Sequence, residues 1–318
     1  MPVNKLEMTP KMVKQAAFEL MTEEQMDVFS RELEIDFALS EEGLGRFRVN
    51  VFHQRGNVAM VLRYITSELP TLDELGMPPQ LKELVMLRRG LILMVGATGA
   101  GKSTTLAAMV NHRNEKTSSH ILTIEDPIEF LHPNKQSIIN QREVGLDTKS
   151  YARALKSAVR AAPDVVLIGE IRDTESMRAA LDMAGTGHLV LSTVHSNNAA
   201  ETLDRIINLF PQEQHAQVFM DLAHYLRAIL SQRLVRSRNG KRTAAVELML
   251  NTPHIKDLIL KGDISSVKEA HKESGEAGMQ NFDDALLQLY KDGTITLEEA
   301  MSHADSRSNL EAKVNFGG

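Results

Sequence analysis

Cysteine and tryptophan are both absent from this 318-residue chain, which also contains only 4 tyrosines. Without cysteine the chain can form neither disulfide bonds nor a cysteine-ligated zinc site. With so few large aromatic side chains it offers little for base stacking, and its net charge of −6 gives no basic surplus for a nucleic-acid backbone. No apolar run approaches the roughly 20 residues of a membrane-spanning helix. These absences exclude a disulfide-stabilised protein and disfavour a nucleic-acid-binding one.

The motif around which the chain is organised spans residues 96–103 and fits the pattern G-x-x-x-x-G-K-S. This is the pattern of a phosphate-binding loop. An apolar run at 91–95 precedes it and a helical pattern at 104–110 follows it, which is the strand–loop–helix context that the motif needs. Lys102 is expected to reach the β- and γ-phosphates, and the Ser103 hydroxyl to ligate Mg²⁺. We therefore predict a nucleotide-binding segment of nine residues: Gly96, Ala97, Thr98, Gly99, Ala100, Gly101, Lys102, Ser103 and Thr104.

Further apolar runs alternate with helical patterns and predict a doubly wound parallel sheet of the α/β class. The runs lie at 121–124, 165–168 and 189–191, and the clearest helical stretches at 151–162 and 174–184. After Pro211 the chain is expected to be mostly helical.

A smaller α+β domain is predicted for residues 1–65. Thr9-Pro10 and Thr22-x-x-Gln25 are signals for the start of a helix. The segments 35–39, 45–52 and 58–65 alternate in the manner of strands. Proline and glycine between 66 and 80 predict a linker, after which residues 81–318 would form the domain that carries the parallel sheet.

Carboxylates follow two of the predicted parallel strands. Glu125 and Glu129 come after the strand at 121–124, and Glu170 after the strand at 165–168. Beside a phosphate loop, such groups can organise Mg²⁺ or aim a water at the γ-phosphate, and we predict that all three are catalytic, with Glu170 also at the metal. A solvated acidic loop at 125–129, and an ion pair between Glu170 and Arg172, would account for the same residues.

Two histidines frame the last predicted strand, and two arginines lie on predicted strands of the smaller domain. Because His188 and His195 are up to about 23 Å apart along an extended strand, they cannot share a metal ion. His195, at the ligand end, is a candidate for sensing the γ-phosphate, whereas His188 is expected to be structural. Arg48 and Arg63 either form a solvated, ion-paired face or neutralise phosphate charge in a neighbouring subunit.

Four motifs in this order resemble the conserved boxes of the secretion-superfamily ATPases: the loop at 96–103 and the segments 124–129, 169–173 and 186–195. The segments 45–50 and 278–282 also resemble that family. Within it, the chain is similar to the type IV pilus retraction ATPases of the PilT and PilU kind. The lack of cysteine agrees, because pilus-assembly and type II secretion members usually carry a tetracysteine zinc element.

Four departures from the usual motifs refine this resemblance. PilT-like chains typically have Gln-Asp-Pro-Asp where this one has residues 161–164, which read Ala-Ala-Pro-Asp, and Ala-Ile-Arg where it has His254, Ile255 and Lys256. Both differences favour the PilU branch, and the second segment is expected at the surface. In addition, Gly169 stands where the Walker B motif usually has Asp. The family normally has strand-rich residues upstream of what is here Met1, so the first domain is expected to lack part of its sheet.

The resemblance implies a RecA-like ATPase domain and a PAS-like smaller domain, with ATP and Mg²⁺ bound between the two domains. It also implies a homohexameric ring at the cytoplasmic face of the inner membrane, docked on a platform protein of the pilus machine and working with a PilT-like partner ATPase. ATP turnover would drive pilus retraction and twitching motility. The alternatives are a pilus-assembly or type II secretion ATPase, a RecA-like nucleic-acid motor, and a ring subunit that binds ATP without hydrolysing it. No nucleic-acid partner is expected.

Overall fold

The computed structural model of the chain describes residues 7–66, 68–273 and 278–316, except for the side chains of 272, 273 and 316. Contacts divide the chain into two compact units. Unit 1 comprises Met1–Glu68 and Glu129–Leu131, and unit 2 comprises Leu69–Ile128 and His132–Gly318.

Unit 1 packs two helices against a three-stranded antiparallel sheet whose order is β1-β2-β3. Its elements are α1 (Pro10–Leu20), α2 (Glu23–Glu32), β1 (Glu34–Glu41), β2 (Gly45–Gln54) and β3 (Asn57–Ile65). Both predicted helix starts are confirmed, because the Thr9 side chain caps α1 and Thr22 forms a capping box with Gln25. Phe29 of α2 is buried against Val49 and Val51 of β2, so the face that points toward the helices supplies the core.

Unit 2 contains a seven-stranded sheet with the order β10-β9-β4-β8-β7-β5-β6. The strands are β4 (Gly90–Val95), β5 (His120–Glu125), β6 (Ile138–Glu143), β7 (Val165–Ile168), β8 (Leu189–Val194), β9 (Leu226–Arg236) and β10 (Arg242–Leu250). All neighbours pair in parallel except β10, which is antiparallel to β9.

Helices cover both faces of this sheet, as the strand–helix alternation predicts. Along β4, Leu91 and Leu93 belong to one hydrophobic cluster, whereas Ile92 and Met94 belong to the other. The helices are α3 (Gln80–Leu84), α4 (Lys102–Lys116), α5 (Tyr151–Ala158), α6 (Thr174–Gly185), α7 (Ala199–Asn208), α8 (His215–Tyr225), α9 (Pro253–Leu260), α10 (Ile264–Glu273), α11 (Phe282–Lys291), α12 (Leu297–His303) and α13 (Arg307–Phe316). The α/β class with a parallel sheet and a small antiparallel N-terminal sheet is confirmed.

The expectation of a mostly helical chain after Pro211 is wrong in one place. Strands β9 and β10 form a hairpin there, and β9 pairs with the phosphate-loop strand β4. Most of β9 is buried, so it lacks the polar–apolar alternation that marks a half-buried strand. The expectation of a surface segment at 254–256 also fails at Ile255, which is 1% exposed and packs in the core.

Candidate active site

The phosphate loop joins β4 to α4 in the conformation that its glycines allow. Gly101 caps α4 with φ +87°, in the left-handed region that favours glycine. Gly96 is required by space as well as by its φ of +144°, because a Cβ there would lie 2.5 Å from the backbone oxygen of Gln232 on β9. Residues 96–101 therefore form a close-fitting loop against the neighbouring strand.

Lys102 turns back over this loop. Its side chain is 9% exposed, and its ammonium Nζ donates to the carbonyl oxygens of Gly96 at 2.8 Å and Ala97 at 3.0 Å. Ser103 and Thr104 follow in the first turn of α4, and both are half-buried. The arrangement puts a positive charge, a hydroxyl and the N-terminus of a helix at one place, which is a favourable setting for an anion.

Glu170 lies just beyond β7, with its side chain 15% exposed. Its Oε2 is 2.6 Å from Nη2 of Arg172, and its Oε1 is 2.9 Å from Nε2 of His195, which follows β8. The hydrogen bond and the charge of Glu170 raise the pKa of Arg172 above its ordinary value. The predicted ion pair is present, and the structure also brings together Glu170 and His195, which the sequence analysis proposed separately.

Gly169, at the position of the usual Walker B aspartate, is closely packed on three sides. A Cβ at this position would lie 3.0 Å from the Tyr151 hydroxyl, 3.2 Å from Glu125 Cα and 3.3 Å from the Ile124 carbonyl oxygen. The Gly169 carbonyl also accepts a 2.7 Å hydrogen bond from the Thr193 hydroxyl. A side chain at 169 would therefore press on Tyr151 and on the end of β5, which would have to give by a few tenths of an ångström.

Replacing Gly169 by alanine should lower the free energy of unfolding by about 1–3 kcal/mol, the usual cost of overpacking. Urea denaturation would measure it. Tyr151→Phe removes the hydroxyl nearest to the new methyl group. Gly169→Ala should therefore lower the free energy of unfolding less in the Tyr151→Phe background than in the wild-type chain. Equal stability of Gly169→Ala and the wild-type chain would show that the site is less tightly packed than its distances indicate.

Glu125 is the last residue of β5. It lies beside Gly169, because Ile124 of β5 pairs with Ile168 of β7. Its Oε1 accepts from the Thr123 hydroxyl at 2.6 Å and from Nε2 of Gln141 at 3.3 Å, which orients the carboxylate. Burial and the nearby charges of Asp126 and Glu125 raise the pKa of Tyr151, so its phenol stays protonated at neutral pH. Glu129 is exposed and belongs to unit 1.

The two histidines lie at opposite ends of β8, as expected. His188 Nδ1 lies 3.1 Å from the Met183 carbonyl oxygen, which is a local structural contact. Over the described ranges, no three His, Cys, Asp or Glu side chains form a group that could hold a metal ion. A hard cation beside the loop would therefore need oxygen ligands from a bound phosphate, with the Ser103 hydroxyl as a protein ligand.

Arg48 and Arg63 face each other directly across β2 and β3. Directly opposed like charges are destabilising in a sheet, and Asp36 provides only partial compensation, with its Oδ1 3.6 Å from Arg48 Nε. The two residues form a local positive site in unit 1.

A cleft of about 360 Å³ lies against the phosphate loop. Its lining combines loop residues 96–100 with side chains from β9, β10, α12 and the segment before α7, all basic or polar except Leu234: Asn197, Gln232, Arg233, Leu234, Arg242 and His303. The arginines give the cleft a positive charge that fits a polyphosphate. Lys102 and Ser103 lie outside the lining, directly after the loop, where an ammonium and a hydroxyl fit a phosphate and a cation bound to it.

Comparison with known proteins places the chain in a family. The profile of the family described as type II/IV secretion system protein matches residues 11–254. The chain belongs to that family. It is 49% identical over 318 residues to the type IV pilus ATPase PilU of Pseudomonas aeruginosa, covering 100% of this chain and 83% of that protein.

Two further comparisons agree with membership of the pilus retraction branch of this family. The chain is 43% identical over 300 residues to the retraction ATPase PilT of the same organism, covering 94% of this chain and 87% of that protein. The crystal structure of the pilus retraction motor PilT with bound ADP superposes with a TM-score of 0.88 at 43% identity, covering 94% of this chain and 85% of that one. The predicted resemblance to the PilT and PilU ATPases is confirmed.

Several residues of the secretion-family site could not be found by sequence reasoning. Gln232, Tyr151 and Thr193 all contact the loop or the Walker B segment. Tyr151 and Thr193 lie in predicted elements but carry no motif of their own. The signal for Gln232 in the sequence is a polar residue shortly after an apolar run, on strand β9, which was not predicted.

In the described part of the chain, no helix is long and apolar enough to cross a membrane.

Proposed function

We propose that the chain is an ATP-hydrolysing motor subunit for type IV pilus retraction, and that it acts as a PilU-like accessory retraction ATPase. Similarity to PilU over the whole of this chain supports the biological part of the proposal. The observation that carries the enzymatic part is the contact of Glu170 with His195 on the sheet that also carries the phosphate loop.

The residues of unit 2 divide the chemistry between them. Lys102 would bind the β- and γ-phosphates of ATP in place of the carbonyl oxygens of Gly96 and Ala97, and the Ser103 hydroxyl would be a ligand of Mg²⁺. When bound, Mg²⁺ neutralises charge that develops on the phosphates. Glu170 accepts a hydrogen bond from the attacking water and orients it, while His195 holds Glu170 and senses the γ-phosphate. Glu125 would orient the waters around the metal.

We further propose that the subunits form a homohexameric ring at the cytoplasmic face of the inner membrane, docked on the platform protein of the pilus machine. A PilT-like ATPase would act beside it. In such a ring, Arg48 and Arg63 of one subunit would complete the site of its neighbour. The likeness to the PilT motor supports this assembly.

Phosphate release by the purified chain, with MgATP and with ATP plus excess EDTA, tests the enzymatic proposal. Turnover should require the metal, and absence of turnover would leave a ring subunit that only binds ATP.

In cells, deletion of the gene should abolish or weaken twitching while surface pili remain. Loss of the pili themselves would indicate an assembly ATPase instead. The deletion should be made with and without the PilT-like ATPase, and complemented with wild-type and Lys102→Ala genes.

A further inference from the structure

Gln232 occupies a buried position directly beside the phosphate loop. It follows Ser231, which pairs with Val95 at the end of β4, and it is 3% exposed. Its Nε2 donates to the carbonyl oxygen of Ala100 at 2.8 Å, and its Oε1 accepts from the Thr105 hydroxyl at 2.8 Å. One side chain therefore connects three parts of the site: β9, the loop and the first turn of α4.

We propose that Gln232 is a positioning residue that holds the phosphate loop in its binding conformation. This inference rests on the proposed function and concerns the same site. In a planar trans peptide the carbonyl and the next N–H point in opposite directions. Because Gln232 holds the Ala100 carbonyl on its own side, the N–H of Gly101 is directed away from Gln232. The orientation of a loop donor is thus fixed before any phosphate arrives.

The Ala100 carbonyl determines which end of the amide faces the loop, because a carbonyl oxygen can only accept a hydrogen bond. The amide nitrogen therefore faces Ala100, and the amide oxygen faces the Thr105 hydroxyl, which donates to it. Thr105 is 1% exposed and Ala100 is 7% exposed, so water does not compete well for either bond. A buried carbonyl that loses its donor carries a large desolvation penalty, and the loop would rearrange to avoid it.

The glycines of the motif fit the same account. A Cβ on Gly96 would collide with the Gln232 backbone oxygen at 2.5 Å, and a Cβ on Gly101 would lie 2.8 Å from the Gln232 amide nitrogen. The first contact is with the main chain at 232, which any residue would supply, whereas the second is with the amide itself. Glycine at 101 therefore leaves room for the Gln232 side chain to reach the loop.

Three variants separate the two hydrogen bonds. Gln232→Met removes both bonds and keeps an unbranched side chain of similar length. Gln232→Glu keeps the acceptor for Thr105 but replaces the donor to Ala100 by a carboxylate oxygen. Thr105→Val keeps the shape of the side chain and leaves the glutamine in place, but it removes the hydroxyl that holds the amide oxygen.

We expect the first two variants to weaken ATP binding about tenfold or more, in line with the loss of a buried hydrogen bond. Thr105→Val should weaken it less, and Thr105→Val combined with Gln232→Met should be no worse than Gln232→Met alone. Calorimetry would give the affinity for ATP, and steady-state turnover would give KM and kcat. A positioning role predicts a rise in KM that exceeds the fall in kcat.

Gln280→Met is the matched control. Gln280 Nε2 donates to the Val246 carbonyl oxygen at 2.7 Å, so this variant loses the same type of amide-to-carbonyl bond at a partly buried position elsewhere in unit 2. It should lower the melting temperature without changing ATP affinity.

Unchanged ATP affinity in Gln232→Met and Thr105→Val, or an equal loss in Gln280→Met, would overturn the inference while the proposed function stands. Absence of ATP binding by the wild-type chain would instead overturn the proposed function, and the inference with it.

Discussion

Replacing Glu170 by glutamine should leave ATP binding intact and lower turnover by about 10²- to 10⁴-fold, the usual contribution of a positioned acid–base group. The amide keeps the size of the side chain, but it loses the charge that lies 2.9 Å from His195 and 2.6 Å from Arg172. The amide therefore orients the attacking water less well, and it has no negative charge to attract a metal cation. Single-turnover phosphate release, measured next to nucleotide affinity, separates the chemical step from binding.

Asp221→Asn provides the control for this prediction. Asp221 is a similarly buried carboxylate, with a side chain 12% exposed and its Oδ2 2.8 Å from Nη1 of Arg178. Its amide variant should lose stability but keep normal turnover. If Glu170→Gln hydrolyses ATP at a near-normal rate, the water-orienting role passes to Glu125.

Arg48→Ala should reduce turnover by roughly 10³-fold or more, the effect of removing an arginine that is supplied to a phosphoryl-transfer site, while its own phosphate loop still binds ATP. The reason lies in the cross-strand pair: Arg48 and Arg63 face each other in register, and a bound phosphate would relieve their repulsion. The Asp36 carboxylate, whose Oδ1 lies 3.6 Å from Arg48 Nε, relieves this repulsion only in part. Asp36→Asn is the control, since it removes the competing anion and should not reduce turnover.

Mixed rings test whether Arg48 acts on a neighbouring subunit. Subunits with Arg48→Ala are combined with subunits that carry Lys102→Ala, each inactive alone. If the arginine acts in trans, some interfaces join an intact loop to an intact arginine, and part of the activity returns. If subunit exchange is confirmed and the mixture stays inactive, the trans assignment of Arg48 fails. Arg63 is then tested in the same way.

Features of the fold that depend on local sequence could be predicted, and features that depend on distant contacts could not. The helix starts at Thr9 and Thr22 are set by side chains three residues from the amides that they cap. The phosphate loop likewise joins β4 to α4, which are consecutive in the chain. Strand β9 is buried over most of its length, and edge strand β6 exposes Ile138 to solvent. Neither strand shows the alternation from which strands are read.

The same distinction holds for the site. The carboxylate at 170 could be proposed because it ends an apolar run, and its ion pair with Arg172 because only one residue separates them. Gln232 could not be proposed, because the hydroxyl that it pairs with lies 127 positions away in the chain. Nor does any local pattern indicate that the Tyr151 hydroxyl fills the space beside Gly169.

That filled space limits how this enzyme can evolve. An aspartate at 169, which would restore the usual Walker B pair, would place its Cβ 3.0 Å from the Tyr151 hydroxyl and 3.2–3.3 Å from the backbone of β5, so these neighbours would have to shift. The second carboxylate would therefore come at a cost in stability, and a smaller side chain at Tyr151 would reduce that cost. A single carboxylate at the end of β7 is thus the more stable arrangement for this packing.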